Sequence, residues 1–152
     1  APGFALHGEW AHDTDGKTLR DRAEPLAVFL REGLVPPPRE ARPLTVEEER
    51  GKTIFESPKT QCATCHSPKT TFTDRSVVPL RGFKAKPMFQ EDPSPAYKVL
   101  SLLFVAGTPP YYHDASMATL DDLVNNNLDR MGRTSHLDDA ERAALIAYLR
   151  TL

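Results

Sequence analysis

Cys62 and Cys65 stand three positions apart with His66 directly behind them, in the run Cys62-Ala63-Thr64-Cys65-His66. They are the only two cysteines of the chain. Two thiols at that spacing on one tight helical turn reach the two vinyl groups of a single porphyrin, and the following imidazole then lies under the ring, where it ligates the iron. The pattern reads as covalent attachment of one haem c. A zinc site needs two further ligands in compact spacing. No third cysteine exists, and His113 and His136 lie too far apart in sequence to act as a ligand pair. A thioredoxin-type dithiol expects a strand–helix–strand setting, which the flanking sequence lacks.

The 152 residues suit one ordinary domain, or one domain with a substantial appendage. A formal charge of -2 gives no general attraction to nucleic acid or anionic lipid. Basic residues gather only locally, at Arg75, Arg81, Lys84 and Lys86, as a solvated loop would carry them. No apolar stretch is long enough to span a membrane. Ala1-Pro2-Gly3 opens the chain without the basic, apolar and cleavage regions of an export signal. Haem c is attached after export, so the expected compartment is periplasmic or extracellular, with both thiols ending as thioethers.

The elements that must position this motif are punctuated by proline. Leu19, Ala23, Leu26, Ala27, Leu30 and Leu34 recur at helical spacing and predict an amphipathic helix from about Thr18 to Leu34, kinked or split at Pro25. Pro36-Pro37-Pro38 and Pro43 then form a stiff linker. Thr45-Val46-Glu47-Glu48 is a capping box that starts a helix running to about Phe55. From Ser67 to Pro110 the prolines forbid long helices, and Tyr97 to Val105 reads as either a short buried helix or extended chain. Thr119 caps a helix through about Leu128. Asp138 caps the last one, whose apolar stripe is Leu145, Tyr148, Leu149 and Leu152. No strand pairs stand out. The expected fold is all-α: residues 45–152 form a helical domain around one haem, and residues 1–44 form a helical arm with a Pro-rich linker. Thr18-Leu19-Arg20-Asp21 and Leu26 to Arg31 faintly echo Thr119 to Asp122 and Leu145 to Arg150. The arm is therefore expected to lay its Leu19, Leu26 and Leu30 stripe on the haem domain, because a helix of that length is not stable alone in water.

Residues 46–152 resemble the C-terminal haem domain of the bacterial di-haem cytochrome c peroxidases and the related methylamine-utilisation enzymes. The resemblance is carried by Glu49-Arg50-Gly51-Lys52-Thr53-Ile54-Phe55, by Phe72-Thr73-Asp74 and by Gly107-Thr108-Pro109-Pro110-Tyr111-Tyr112-His113-Asp114. Ala118-Thr119-Leu120 and the closing Ala147-Tyr148-Leu149-Arg150-Thr151-Leu152 match as well. It implies a cytochrome c-like helical fold with His66 as the proximal ligand. Peroxidases of this group carry two C-x-x-C-H motifs and this chain carries one, so their activity does not transfer. Ser76 to Pro95 also departs from the usual connection.

The resemblance places the distal ligand in the loop Asp129-Arg130-Met131-Gly132-Arg133, making Met131 the first candidate. Met117, at the other end of the same helix, is the second; Met88, His7 and His12 are further options. His113 is read as locking its loop by hydrogen bonding, and His136 as assisting entry to the last helix. The carbonyls of Thr108 and Pro110 match positions that hold calcium in the two-haem proteins, but the other half of that site is not recognisable. Phe72, Phe83, Tyr111 and Tyr112 are candidates to line the ring. Arg75, Arg81 and Arg130 are candidates to pair with a propionate. Trp10 is expected to pin the N-terminal segment. The implied function is one-electron transfer to or from a redox partner protein, with no enzymatic activity of its own. The alternatives are the haem domain of a peroxidase-like di-haem enzyme, a ligand-sensing haem or a structural haem module. Association with or fusion to a larger redox assembly fits the arm and linker.

Overall fold

The structure is a computed structural model in which residues 16–30, 42–80 and 96–152 are described. Two compact units are formed, Ala1–Pro38 and Arg39–Leu152. In the first, α1 spans Gly16–Val28 and contains Pro25 without ending there. A helical proline removes one hydrogen bond, and the turns on either side continue across it. The chain passes into a π-type turn at Phe29 and Leu30. Leu26, Phe29 and Leu30 are exposed. The predicted continuation to Leu34 lies outside the described residues.

Among the described residues, the second unit begins each of its three longer helices with a capping box. α2 (Val46–Glu56) is capped by Thr45 and Glu48, α4 (Leu120–Asn125) by Thr119 and Asp122, and α5 (Asp139–Leu149) by Asp138 and Glu141. Each box satisfies two backbone N–H groups that the first turn leaves without helical partners. Glu48 also receives the Arg42 guanidinium in a two-pronged ion pair at 2.7 and 2.6 Å. Those contacts, the Arg42 hydrogen bonds first, hold the Glu48 carboxyl down at about 2. α2 starts and stops within a residue of the sequence expectation, and α5 starts at its expected Asp138 cap but ends at Leu149, before Leu152 of the expected apolar stripe. α4 is shorter than expected: it ends at Asn125, and Leu128 and Asp129 adopt the left-handed region with φ of 50 and 57°.

α2 and α5 cross in direct backbone contact. A Cβ on Gly51 would stand 1.9 Å from the Ala144 carbonyl oxygen and 2.8 Å from the Tyr148 Cβ, so only glycine lets the two helices close. The core gathers around this crossing: Phe55, Leu145, Ile146, Tyr148 and Leu149, joined by Leu120, Val124 and Leu137. Phe55 is the hinge between core and motif. Its ring lies 5.5 Å from Tyr148 and 6.1 Å, edge-on, from Phe72.

A strand pair corrects the expectation that none exists. β1 (Val77–Pro79) runs antiparallel to β2 (Ala96–Lys98), with Val78 opposite Tyr97. Three-residue strands are too short to show alternation, so the pairing left no periodic signal. The stretch from Tyr97 to Val105 is extended at first and ends in a 3-10 turn at Val105–Gly107. Val99 and Val105 are buried, whereas Leu100, Leu103 and Phe104 are exposed.

Candidate functional site

Thr60, only 1% exposed, ends α2 by donating its hydroxyl to the carbonyls of Ile54 and Ser57. Gln61 then takes a left-handed conformation, and the single turn of α3 (Cys62–Cys65) follows. The His66 N–H caps that turn on the Cys62 carbonyl at 3.1 Å. Positions three apart on a helix share a face, so this turn presents both thiols to one side. Both cysteines are free and half-buried. Burial pushes both thiols up, and Asp74 adds to the effect at Cys65.

The imidazole of His66 is oriented from behind. Its Nδ1 lies 2.9 Å from the Phe72 carbonyl oxygen. A carbonyl only accepts, so the proton belongs on Nδ1 and the lone pair on Nε2, the arrangement that an iron ligand needs. Burial, the largest influence, lowers the His66 pKa and favours the neutral ring. The Phe72 carbonyl is delivered by two successive left-handed residues, Thr71 and Phe72, with φ of 55 and 57°. Backbone bonds from Phe72 to Ser67 and from Asp74 to Cys65, both 2.9 Å, close this loop on the motif. Thr73 Oγ1 donates to the Val99 carbonyl and Ser101 Oγ to the Thr71 carbonyl, which ties the loop to residues 99–101.

The segment between α4 and α5 docks on the first cysteine. Gly132, at φ +67°, lies so close that a Cβ there would stand 2.7 Å from the Thr60 carbonyl oxygen and 3.1 Å from the Cys62 Sγ. The Arg133 N–H donates to that same carbonyl at 2.7 Å. Met131 is thereby carried beside the motif on a tightly bonded loop. Met117 is paired through its backbone with Tyr111 and packed on the core.

The remaining sequence candidates divide. Phe72 is half-buried against Phe55, within the loop that orients His66. Tyr111 is a core residue whose hydroxyl donates to the Val105 carbonyl at 2.8 Å. The Tyr112 hydroxyl is buried, and burial raises its pKa while Arg130, close by, opposes that shift. Arg75 is exposed, and its N–H donates to Thr73 Oγ1. His113 stacks on Tyr97 with ring centroids 4.4 Å apart, and their polar atoms lie 3.3 Å apart. Arg81, Phe83, Met88, His7, His12 and Trp10 lie outside the described residues. Among the described residues, no three His, Cys, Asp or Glu side chains are gathered to hold a bare metal ion.

Comparison with known proteins accounts for this geometry. The cytochrome c family profile matches residues 48–152. The chain belongs to the cytochrome c family. Over 149 residues it is 32% identical to the gamma subunit of hydrazine synthase from Kuenenia stuttgartiensis, covering 72% of this chain and 42% of that protein. A solved structure of Kuenenia stuttgartiensis hydrazine synthase, pressurised with xenon, aligns with a TM-score of 0.55 and 29% identity, over 72% of this chain and 47% of that one. A MauG-like protein associated with microbial copper homeostasis shares the fold, with a TM-score of 0.57 and 23% identity over the same shares of the two chains. This cytochrome c chain thus spans less than half the length of the relatives it matches. Its cofactor is covalent haem c.

The residues present fit that cofactor. Two thiols share one helical turn, a neutral imidazole keeps Nε2 as an acceptor, and a thioether is held on the adjoining loop. Exposed apolar side chains flank them. Leu100, whose backbone lies beside the imidazole, is 70% exposed, and Leu128, three residues before Met131, is 69% exposed. Sequence reasoning missed Gly132 and Thr60, which join the Met131 loop to the motif, and Asn127, which closes that loop on itself. Only the glycine left a trace, as the lone Gly between α4 and α5.

Proposed function

We propose that residues 45–152 of this cytochrome c form a mono-haem electron-transfer domain in which Cys62 and Cys65 would attach the porphyrin and His66 and Met131 would hold the iron. When bound, haem c would supply a reversible one-electron iron couple, and a Met thioether together with a His imidazole would raise its reduction potential. The chain's own residues do the rest. Phe72 fixes the tautomer and direction of His66 through its carbonyl. Thr60, Gly132 and Arg133 hold the Met131 loop against Cys62. Phe72 and Tyr112 supply aromatic surface, and Arg75, Arg81 and Arg130 are the cations available to a propionate. Tyr111, buried in the core, supports this surface from behind.

The observation that carries the reading is the 2.9 Å contact of His66 Nδ1 with the Phe72 carbonyl, which leaves Nε2 as the ligating nitrogen. Absorption spectroscopy of the oxidised haem-loaded protein tests it. A low-spin spectrum with a sulfur-to-iron band near the red edge is expected. A high-spin spectrum with rapid carbon monoxide binding would overturn it in favour of a catalytic or ligand-sensing haem.

A redox partner protein, reached in the periplasm or outside the cell, follows from this reading. No described helix is long and apolar enough to cross a membrane. A second reading, a haem module within a larger redox assembly, is favoured by the 32% identity to a protein that is itself a subunit of hydrazine synthase. Residues 1–44 would then be the arm that joins this domain to that assembly. A full chain that elutes in a larger complex, and loses its associated protein when residues 1–44 are deleted, would support it, and a monomeric full chain with no associated protein would count against it.

A further inference from the structure

Met131 is not held by packing. It is 37% exposed and stands outside the buried core, whereas Met117 packs against that core. What holds residue 131 is hydrogen bonding to its backbone, and one side chain makes the contacts. Asn127 is 3% exposed. Its Oδ1 accepts the Met131 N–H at 2.9 Å, and its Nδ2 donates to the Met131 carbonyl at 2.8 Å. The same Nδ2 donates to Thr134 Oγ1 at 3.0 Å. Three hydrogen bonds of one buried carboxamide are thus spent across the loop it closes. The Asp129 carboxylate accepts the Thr134 and Ser135 N–H groups at 2.7 and 2.8 Å, locking the same loop from outside. Gly132 and Arg133 meanwhile tie it to Thr60 and Cys62.

We infer that Asn127 is the positioning residue for the distal ligand: by gripping Met131 at both its N–H and its C=O, it keeps the thioether on the iron against competing ligands. This rests on Met131 being that ligand. The grip acts on the backbone of residue 131, so its loss frees the sulfur while the core around Phe55 and Tyr148 stays closed. A buried carboxamide that served only the stability of the unit would lower the melting temperature without changing how readily an outside ligand displaces the sulfur.

The test is an imidazole titration of the oxidised, haem-loaded full chain, followed by the loss of the sulfur-to-iron band. Removal of all three hydrogen bonds by Asn127→Leu, two of them to the Met131 backbone, should raise imidazole affinity by about tenfold to a hundredfold. Val124→Ala, which opens a cavity in the α4 core away from the Met131 backbone, should lower the melting temperature but shift imidazole affinity by less than about twofold. Should Asn127→Leu fail to load haem, Asn127→Asp decides: it keeps the acceptor for the Met131 N–H, loses both donated bonds, and should raise affinity by about threefold or more. Wild-type affinity in the Asn127 variant that loads, or an equal gain in Val124→Ala, overturns the inference. Met131→Ala separates the two claims. If it retains the band and the wild-type affinity, the ligand assignment falls and the positioning role with it. If it binds imidazole freely while the Asn127 variants stay as tight as wild type, the positioning role alone falls.

Discussion

Gly51→Ala is the most exacting perturbation of the scaffold that holds this haem site. The new Cβ would lie 1.9 Å from the Ala144 carbonyl oxygen and 2.6 Å from its carbon, both backbone atoms that cannot rotate aside. Since real Cβ contacts do not close below 3.0 Å, α2 and α5 must part by about 1.1 Å. That separation loosens the Phe55–Tyr148 contact, whose centroids are 5.5 Å apart, in the middle of the core. Overpacking of this kind costs about 1–3 kcal/mol, and the backbone identity of the clashing atoms puts the cost at the upper end. Better helix propensity returns only about 0.5–1 kcal/mol. A net loss of about 2 kcal/mol should lower the melting temperature of a unit this size by roughly 8 °C. The assay is thermal unfolding of the haem-loaded protein, followed in parallel by far-ultraviolet circular dichroism and by Soret absorbance. Phe55 also touches Phe72, so the two signals should fall together. A variant with unchanged or raised melting temperature would show that the helices do not meet at Gly51, and the account of the core would fail.

Met131→Ala should turn the haem high-spin or recruit a replacement ligand, while Met117→Ala should keep the low-spin spectrum; the reverse pattern in absorption spectra would move the ligand to Met117. Gly132→Ala places a side chain at φ +67° and 2.7 Å from the Thr60 carbonyl. It should cost about 1–2 kcal/mol from backbone strain alone and weaken the sulfur-to-iron band, and an unperturbed band would show that the loop does not depend on this contact. The Glu48 carboxyl is lowered from 4.5 to about 2, so its ion pair stabilises the fold fully above pH 4.5 and loses that contribution as pH falls through about 2. Acid-induced unfolding of wild type and Glu48→Gln should therefore differ above that window and converge below it; a constant difference down to the lowest pH would contradict the assignment.

Local chemistry was legible along the chain wherever one segment carried it. Cys62, Cys65 and His66 specify haem c because attachment and ligation need only consecutive residues on one turn. The capping boxes at Thr45, Thr119 and Asp138 announced three helix starts because a cap is satisfied within four residues. The cytochrome c affiliation was legible in the Thr108-to-Asp114 string. Other features depended on groups distant in sequence. The β1–β2 pair joins segments separated by more than fifteen residues, through strands too short to alternate. The tautomer of His66 depends on a Phe72 carbonyl turned inward by two left-handed residues. α4 stopped early because Leu128 and Asp129 turn left-handed to form the Met131 loop, a conformation that the Leu128 side chain does not advertise. Closest approach is also a tertiary matter: Gly51 meets Ala144 and Gly132 meets Cys62 across loops of unrelated sequence. Composition and spacing thus named the cofactor and the element that carries it, because covalent chemistry is local. What holds the Met131 loop against that element was decided by tertiary structure, because hydrogen bonds and steric fit act between residues that only folding brings together.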